Sequence, residues 1–318
     1  MTSNFLLPFQ ERLLEQVETA LDEIAAGGNS QGIQLIGASG SGKTHGLDAL
    51  ADGYPPTIGY NGQRITPCCR VAVTAQADAV STAASVLHQL GKPLRASTRP
   101  NLKLLEPDMH RALRSHRVRI LVFEEFHNAL LASTPQLRGQ IARFLKNLWN
   151  LHPEDSPLRW SAPEPGRDDQ RLVVIVSGTD ELVKVFEKDA ELASRFGCVV
   201  KAEQVGFFPK ESFDNFRNVY GSLAGRFGLS DRLSPEDDST VARCMLACGP
   251  HLRKLEKLLQ RMATLARRLD GPKIDLELLA AAFDAVGGAT GASSSNPFKL
   301  TEAEVTTLVA KAIPHRHR

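Results

Sequence analysis

Gly37, Ala38, Ser39, Gly40, Ser41, Gly42, Lys43 and Thr44 follow one another in the order G-x-x-x-x-G-K-T. That spacing suits a loop whose backbone N–H groups wrap phosphates while a lysine and a hydroxyl stand at its end. The expected ligand is ATP with Mg²⁺. Lys43 would reach the β- and γ-phosphates, Thr44 would hold the metal through its hydroxyl, and His45 would close the set of nucleotide contacts. The flanks agree with this chemistry. Residues 32–37 read as a short buried strand and 44–51 as the start of a helix, so the loop would present a helix N-terminus to the anion. A glycine-rich turn with an exposed lysine is the plainer alternative.

A second pair of chemical groups ends a second apolar run. Val118–Phe123 leads directly into Glu124 and Glu125. Such a strand delivers two carboxylates to one sheet edge, the first to orient Mg²⁺ and the second to polarise an attacking water as general base. Glu124 stands where aspartate is usual, which sets its oxygens one methylene further out and predicts slow hydrolysis. Glu125 takes the role of base. An acidic strand end facing solvent is the alternative. Another strand, Arg70–Ala75, lies between Lys43 and Glu124, as in the additional-strand class of P-loop ATPases. The strand after them, Leu172–Ser177, should then carry a polar sensor. Thr179 is the candidate that links the γ-phosphate to the water, ahead of Asp180, and either residue could equally cap the helix that starts at Glu181.

Positioning these groups requires a parallel sheet covered on both faces, since continuous apolar strands alternate with helical segments. Helices are expected at 8–26, 78–90 and 135–151, and a loop rich in proline and charge, with Trp160, at 152–169. From about residue 209 strands give way to helical segments at 211–227, 238–248, 251–269 and 276–286, read as a helical lid. The domain reading is an N-terminal helix (1–28), a nucleotide-binding α/β domain (29–208), the lid (209–286), a flexible linker (287–296) and a tail (297–318) with one helix at 301–312. Composition bounds the rest. The 318 residues are 42% hydrophobic, contain no apolar run of membrane-spanning length and begin without signal-peptide character, which predicts a cytoplasmic protein without a membrane partner. Five cysteines without zinc spacing read as reduced thiols. A net charge of +2 leaves any nucleic-acid surface to a local patch.

Taken together, Glu124-Glu-Phe-His-Asn128, Ser177-Gly-Thr-Asp-Glu-Leu182 and Leu192-Ala-Ser-Arg195-Phe196 resemble the AAA+ ATPases of transposition, the TniB and TnsC group related to MuB. The resemblance runs from about residue 30 to 285. It implies that Arg195 reaches across a subunit interface to a neighbour's nucleotide, as an arginine finger, and that Arg253 is the lid's basic residue at the phosphates. A helix-end arginine and a solvated helix face are the respective alternatives. Ser177 stands where the family often has glycine. The resemblance also implies assembly as a filament or ring on double-stranded DNA with ATP bound. The expected partners are a DDE transposase and an accessory targeting protein, the latter a candidate to dock on the tail.

DNA contact needs cations, and the stretch 92–119 holds eight basic residues against two acids. Lys92, Arg95, Arg99 and Lys103 are the candidates, read as lying in a Pro- and Ser-containing loop, where phosphate contacts give affinity without reading sequence. Hydrolysis with Glu125, Lys43, Thr179 and a neighbour's Arg195 would drive disassembly. Two other readings stay open. An initiator or clamp-loader ATPase would want a winged-helix domain, for which the stretch after Asn296 is short. A nucleotide-gated scaffold with little hydrolysis is motivated by Glu124.

Overall fold

The apolar runs fold as the strands of one parallel sheet. The structure, a computed structural model, describes residues 5–60, 62–75, 77–92, 101–131, 134–150, 171–230, 233–268, 276–286 and 295–313. Five strands, β1 (Gln31–Ile36), β4 (Cys68–Ala72), β5 (Ile120–Glu124), β6 (Val173–Gly178) and β7 (Cys198–Lys201), lie in the order β4-β5-β6-β1-β7. Every neighbouring pair in this sheet is parallel. Burial explains the sequence pattern. All six residues of β6 are buried, as are the first four of β5, because helices cover both faces. The first carboxylate, Glu124, is where burial relents.

The chain divides into two compact units, one of residues 9–37 and 43–202, the other of residues 1–8, 38–42 and 203–318. In the first, α1 (Pro8–Ala25) buries Leu13, Val17 and Leu21 at helical spacing. The phosphate loop leads into α2 (Lys43–Gly53). Next come α3 (Ala79–Gln89), α4 (Leu102–Ser115), α5 (His127–Leu131), α6 (Pro135–Asn147), α7 (Glu181–Phe186) and α8 (Ala190–Arg195). Local chemistry sets the starts. Asp78 and Ser81 form a capping box on α3, and Thr134 caps α6 with Pro135 in its first turn. Phe123 of β5 packs between Phe126 and Phe144, ring centroids 5.6 and 6.1 Å away.

Several elements differ from the sequence reading. β4 begins at Cys68 rather than Arg70, since the ladder to β5 starts at Cys68↔Ile120. β7 went unrecognised because it is short and buries only Val200 of its four residues. A two-stranded hairpin, β2 (Thr57–Ile58) with β3 (Arg64–Ile65), is too brief to carry a pattern. The stretch around Lys103 is a correction: Asn101 caps α4 by accepting the Lys103 N–H at 3.0 Å, so Lys103 opens a helix and does not lie in a loop. Pro107 disguised that helix, yet Leu105, Met109, Ala112 and Leu113 form its buried face. Arg95, Arg99, the 152–169 loop with Trp160, residues 287–294 of the expected linker, and the basic end at 315–318 lie outside the described residues.

The second unit contains α9 (Lys210–Arg226), α10 (Asp238–Cys248), α11 (Leu252–Arg268), α12 (Leu276–Ala285) and α13 (Glu302–Ala312). α11 buries Leu255, Leu258, Leu259 and Met262 along one stripe. Arg243 of α10, 2% exposed, donates to the carbonyls of Pro297 and Leu300, each at 2.8 Å, and pairs with Glu302 at 2.7 Å. Thr301 and Glu304 then form a capping box that starts α13. Residues 297–305 are therefore part of the helical packing, with Phe298 and Val305 buried. Among the described residues no helix is long and apolar enough to cross a membrane, and no cluster of histidine, cysteine and acidic residues could hold a metal.

Candidate nucleotide site

Strand order brings the chemical groups together. β5, β6 and β1 are consecutive and parallel, so the segments leaving Glu124, Gly178 and Ile36 emerge at one sheet edge. Backbone hydrogen bonds continue past the strands. Gly37 N–H donates to Gly178 O at 3.0 Å and Phe126 N–H to Ser177 O at 2.7 Å. The phosphate loop turns through left-handed glycines, Gly40 (φ 81°) and Gly42 (φ 95°). Lys43 opens α2, is 5% exposed, and donates from Nζ to Gly37 O at 2.7 Å. Thr44 and His45 follow on the exposed first turn.

The loop apex, 38–42, groups with the helical unit. There Leu252 N–H donates to Gly40 O at 3.2 Å, and His251 Nδ1 lies 3.4 Å from Ser39 O. His251, a residue without a motif of its own, is thus the residue ahead of α11 that meets the loop. Arg253, two positions on, is exposed, and its side chain has no partner among the described residues.

The two carboxylates have different surroundings. Glu124 Oε1 accepts from Arg70 Nε at 3.1 Å and Nη2 at 2.8 Å, while Arg70 Nη1 donates to Asp48 of α2 at 2.7 Å. Burial opposes the Arg70 charge, and the Asp48 hydrogen bond and the Glu124 charge more than offset it, so the guanidinium pKa is raised. Glu125 ends the strand in the left-handed region, φ 54°, an uncommon conformation for a residue with a side chain. Its N–H points at Ser177 Oγ, 3.4 Å away. Its Oε2 lies 3.4 Å from His127 Nδ1, without the alignment of a hydrogen bond. His127 in turn packs on Gly178, where an added Cβ would come within 3.2 Å of Nδ1. Asn128 pins the turn by donating to Val73 O at 3.1 Å. The backbone strain thus sits at the residue assigned as base, a recurring place for it.

The sensor segment follows β6. Ser177 is 2% exposed, and Thr179 carries a buried hydroxyl with no partner among the described residues. Ser41 Oγ in the loop is likewise buried and unpartnered. Buried hydroxyls are ordinarily satisfied, so these two call for a partner. Within the sheet unit, the buried Lys43 at the N-terminus of α2 and the Thr179 hydroxyl are donors of the kind polyphosphate oxygens accept from. Asp180 gives α7 no side-chain cap, so the capping alternative is absent for it.

Arg195 lies at the other end of the sheet. Its carbonyl rests against Gly32, the second residue of β1, where an added Cβ would be 2.5 Å from it. Its guanidinium donates to Lys146 O at 2.5 Å, pairs with Glu191 at 2.7 Å and stacks over Trp149 at 5.5 Å. Five residue steps along β1, roughly 16 Å, separate Gly32, where the Arg195 carbonyl rests, from Gly37 at the start of the phosphate loop. Among the candidates for DNA contact, Lys92 and Lys103 are exposed. Cys68 and Cys69 are pushed by burial to about 11 and about 12, so both stay protonated thiols near neutrality.

Residues 7–152 match the family TniB, described as "Bacterial TniB protein". No curated protein matches the chain. Among solved structures, Cdc6p from Pyrobaculum aerophilum is similar at 14% identity and a TM-score of 0.60, over 90% of this chain and 69% of that one. The Aeropyrum pernix ORC2 protein, solved in ADPNP–ADP complexes, is similar at 14% identity and a TM-score of 0.62, over 91% and 71%. The Aeropyrum pernix ORC1 protein in complex with DNA gives 16%, 0.55, 88% and 66%. These likenesses show a fold shared with the Cdc6p and ORC2 structures.

Proposed function

We propose, from the premise that residues 7–152 are those of a TniB-family protein, that this chain is an ATPase that regulates DNA transposition. It binds ATP with Mg²⁺, oligomerises on duplex DNA, and recruits or activates a DDE transposase, and hydrolysis drives disassembly. The observation that supports the ATPase part is that the segments leading to Lys43, Glu124, Glu125 and Thr179 leave the same edge of three consecutive parallel strands. Magnesium, when bound, supplies positive charge that draws electron density from the γ-phosphate.

The chain's own residues then have distinct tasks. Lys43 neutralises phosphate charge, and Thr44 and Glu124 face the metal side. Glu125 takes a proton from water, and the Thr179 hydroxyl orients that water. Arg195, at the opposite sheet edge, serves a neighbouring subunit's site. Lys92 and Lys103, with Arg95 and Arg99, supply phosphate contacts to DNA, and Arg253 is the proposed basic residue for the nucleotide's phosphates. The DNA reading draws support from the TniB match and from the fold shared with an ORC1 protein solved in complex with DNA.

Binding to arbitrary duplex DNA, measured with ATP, ADP or no nucleotide over a range of salt, tests the proposal. The expected result is cooperative, salt-sensitive binding with ATP that Lys43→Ala abolishes. Nucleotide binding without DNA association in any condition would overturn the transposition reading. Measurable turnover in the wild-type chain, lost in Glu125→Gln, would exclude the alternative of a scaffold with little hydrolysis.

A further inference from the structure

Glu124 poses a geometric problem that Arg70 answers. A glutamate has one more rotatable bond than an aspartate, so a carboxylate meant to address a hydrated metal needs an additional restraint. The residue directly across the ladder is Ala72, which offers no polar group. Arg70, two residues earlier on β4 and paired with Val122, is the diagonal neighbour on the same face of the sheet. It places both Nε and Nη2 on Oε1 of Glu124, at 3.1 and 2.8 Å. Oε2 has no partner among the described residues. The third arm, Nη1, holds Asp48 at 2.7 Å, and Asp48 sits on α2, five residues beyond Lys43. Arg70 and Glu124 side chains are 19% and 17% exposed, so the pair is shielded from screening by water.

We propose that Arg70 is a positioning residue for the metal carboxylate: it fixes Glu124 through one oxygen, leaves the other for metal-bound water, and ties both to the helix that carries Lys43 and Thr44. The assignment rests on the reading of this site as one for ATP and Mg²⁺. It would let a glutamate serve at this position, because the arginine removes the freedom that the extra methylene adds. Asp48 also offsets part of the arginine's charge, which would otherwise repel the metal.

The test is equilibrium binding of a fluorescent β,γ-imido ATP analogue, titrated with Mg²⁺, so that no turnover is involved. In Arg70→Ala the Mg²⁺ concentration at half-effect should rise about tenfold, the scale on which groups that orient metal ligands act. Affinity without Mg²⁺ should stay at the wild-type value. In a Glu124→Asp background the same substitution should shift the midpoint far less, since aspartate needs no such restraint. An unchanged midpoint in folded Arg70→Ala, or an equal shift in both backgrounds, overturns the assignment. Should Arg70→Ala fail to fold, Arg70→Lys decides: it keeps the charge but not the two-pronged contact, so a raised midpoint supports the role and a wild-type midpoint refutes it. A wild-type chain that binds no analogue at all would overturn the site reading, and the assignment with it. That result differs from tight analogue binding that is indifferent to Arg70.

Discussion

Glu125, the proposed base, also carries backbone strain. Its φ of 54° turns the chain out of β5 and sets its carboxylate beside His127. A side chain in that conformation costs about 1 kcal/mol or more relative to glycine. We therefore expect Glu125→Gly to be more stable to denaturant than Glu125→Ala by about 1 kcal/mol, while both lose hydrolysis. Glu125→Gln should retain nucleotide affinity and lose turnover by about two to four orders of magnitude. A Gln variant that hydrolyses ATP normally would move the base elsewhere. At this scale the sequence was most readable where chemistry requires consecutive residues. The phosphate loop and the Glu124–Glu125 pair are contiguous strings, visible without knowledge of the fold. Arg70 is visible only once the β4–β5 register sets it diagonally across from Glu124, and His251 only once the backbone brings it against Gly40 and Ser39.

Elements were legible to the extent that burial wrote a continuous pattern. β5 and β6 are buried along almost their whole length and read as apolar runs, whereas β7 buries one residue in four and left no trace. α4 shows the competing case, in which a proline and a cluster of cations obscured a regular buried stripe. Phe123→Ala should lower stability by about 3–5 kcal/mol in denaturant titrations, because the ring is fully buried between two other aromatics. The start of α13 depends on charge instead. Hydrogen bonds from Arg243 and then Ser239 hold the Glu302 carboxyl below its usual pKa, and the Thr301 backbone and hydroxyl do the same for Glu304. A depressed folded-state pKa contributes stability above the unfolded value and loses it as pH falls through the folded one. Amide exchange in α13 should thus accelerate between neutral pH and the carboxylate range, beyond the change in intrinsic rate. Arg243→Ala should produce loss of protection at pH 7. Protection of α13 that is equal at both pH values would refute the coupling.

At the scale of the molecule, the proposed function divides one reaction site between the two ends of the sheet. The segments carrying the glycine loop, Glu124 and Glu125 leave the C-terminal edge, and Arg195 lies at the N-terminal edge. A mixture of Glu125→Gln and Arg195→Ala chains, each inactive alone, should therefore recover about a quarter of wild-type turnover per subunit, because random neighbours complete that share of sites. No recovery would argue against a shared site. The sequence could suggest this arrangement only by resemblance, since the separation of Arg195 from the loop depends on which way β1 runs past it. If Arg195 acts in trans as proposed, an assembly would have a direction. A contact between unlike faces repeats head to tail, so an open chain on DNA has two chemically distinct ends. On the proposed role of Arg195, one end would hold a nucleotide without a neighbour's arginine, and the other an arginine without a neighbour's nucleotide. Short chains would hydrolyse less per subunit than long ones, and the subunit at the first end would be the last to fire. The protein would then carry a built-in measure of its own length and a sense of which way along the duplex it points.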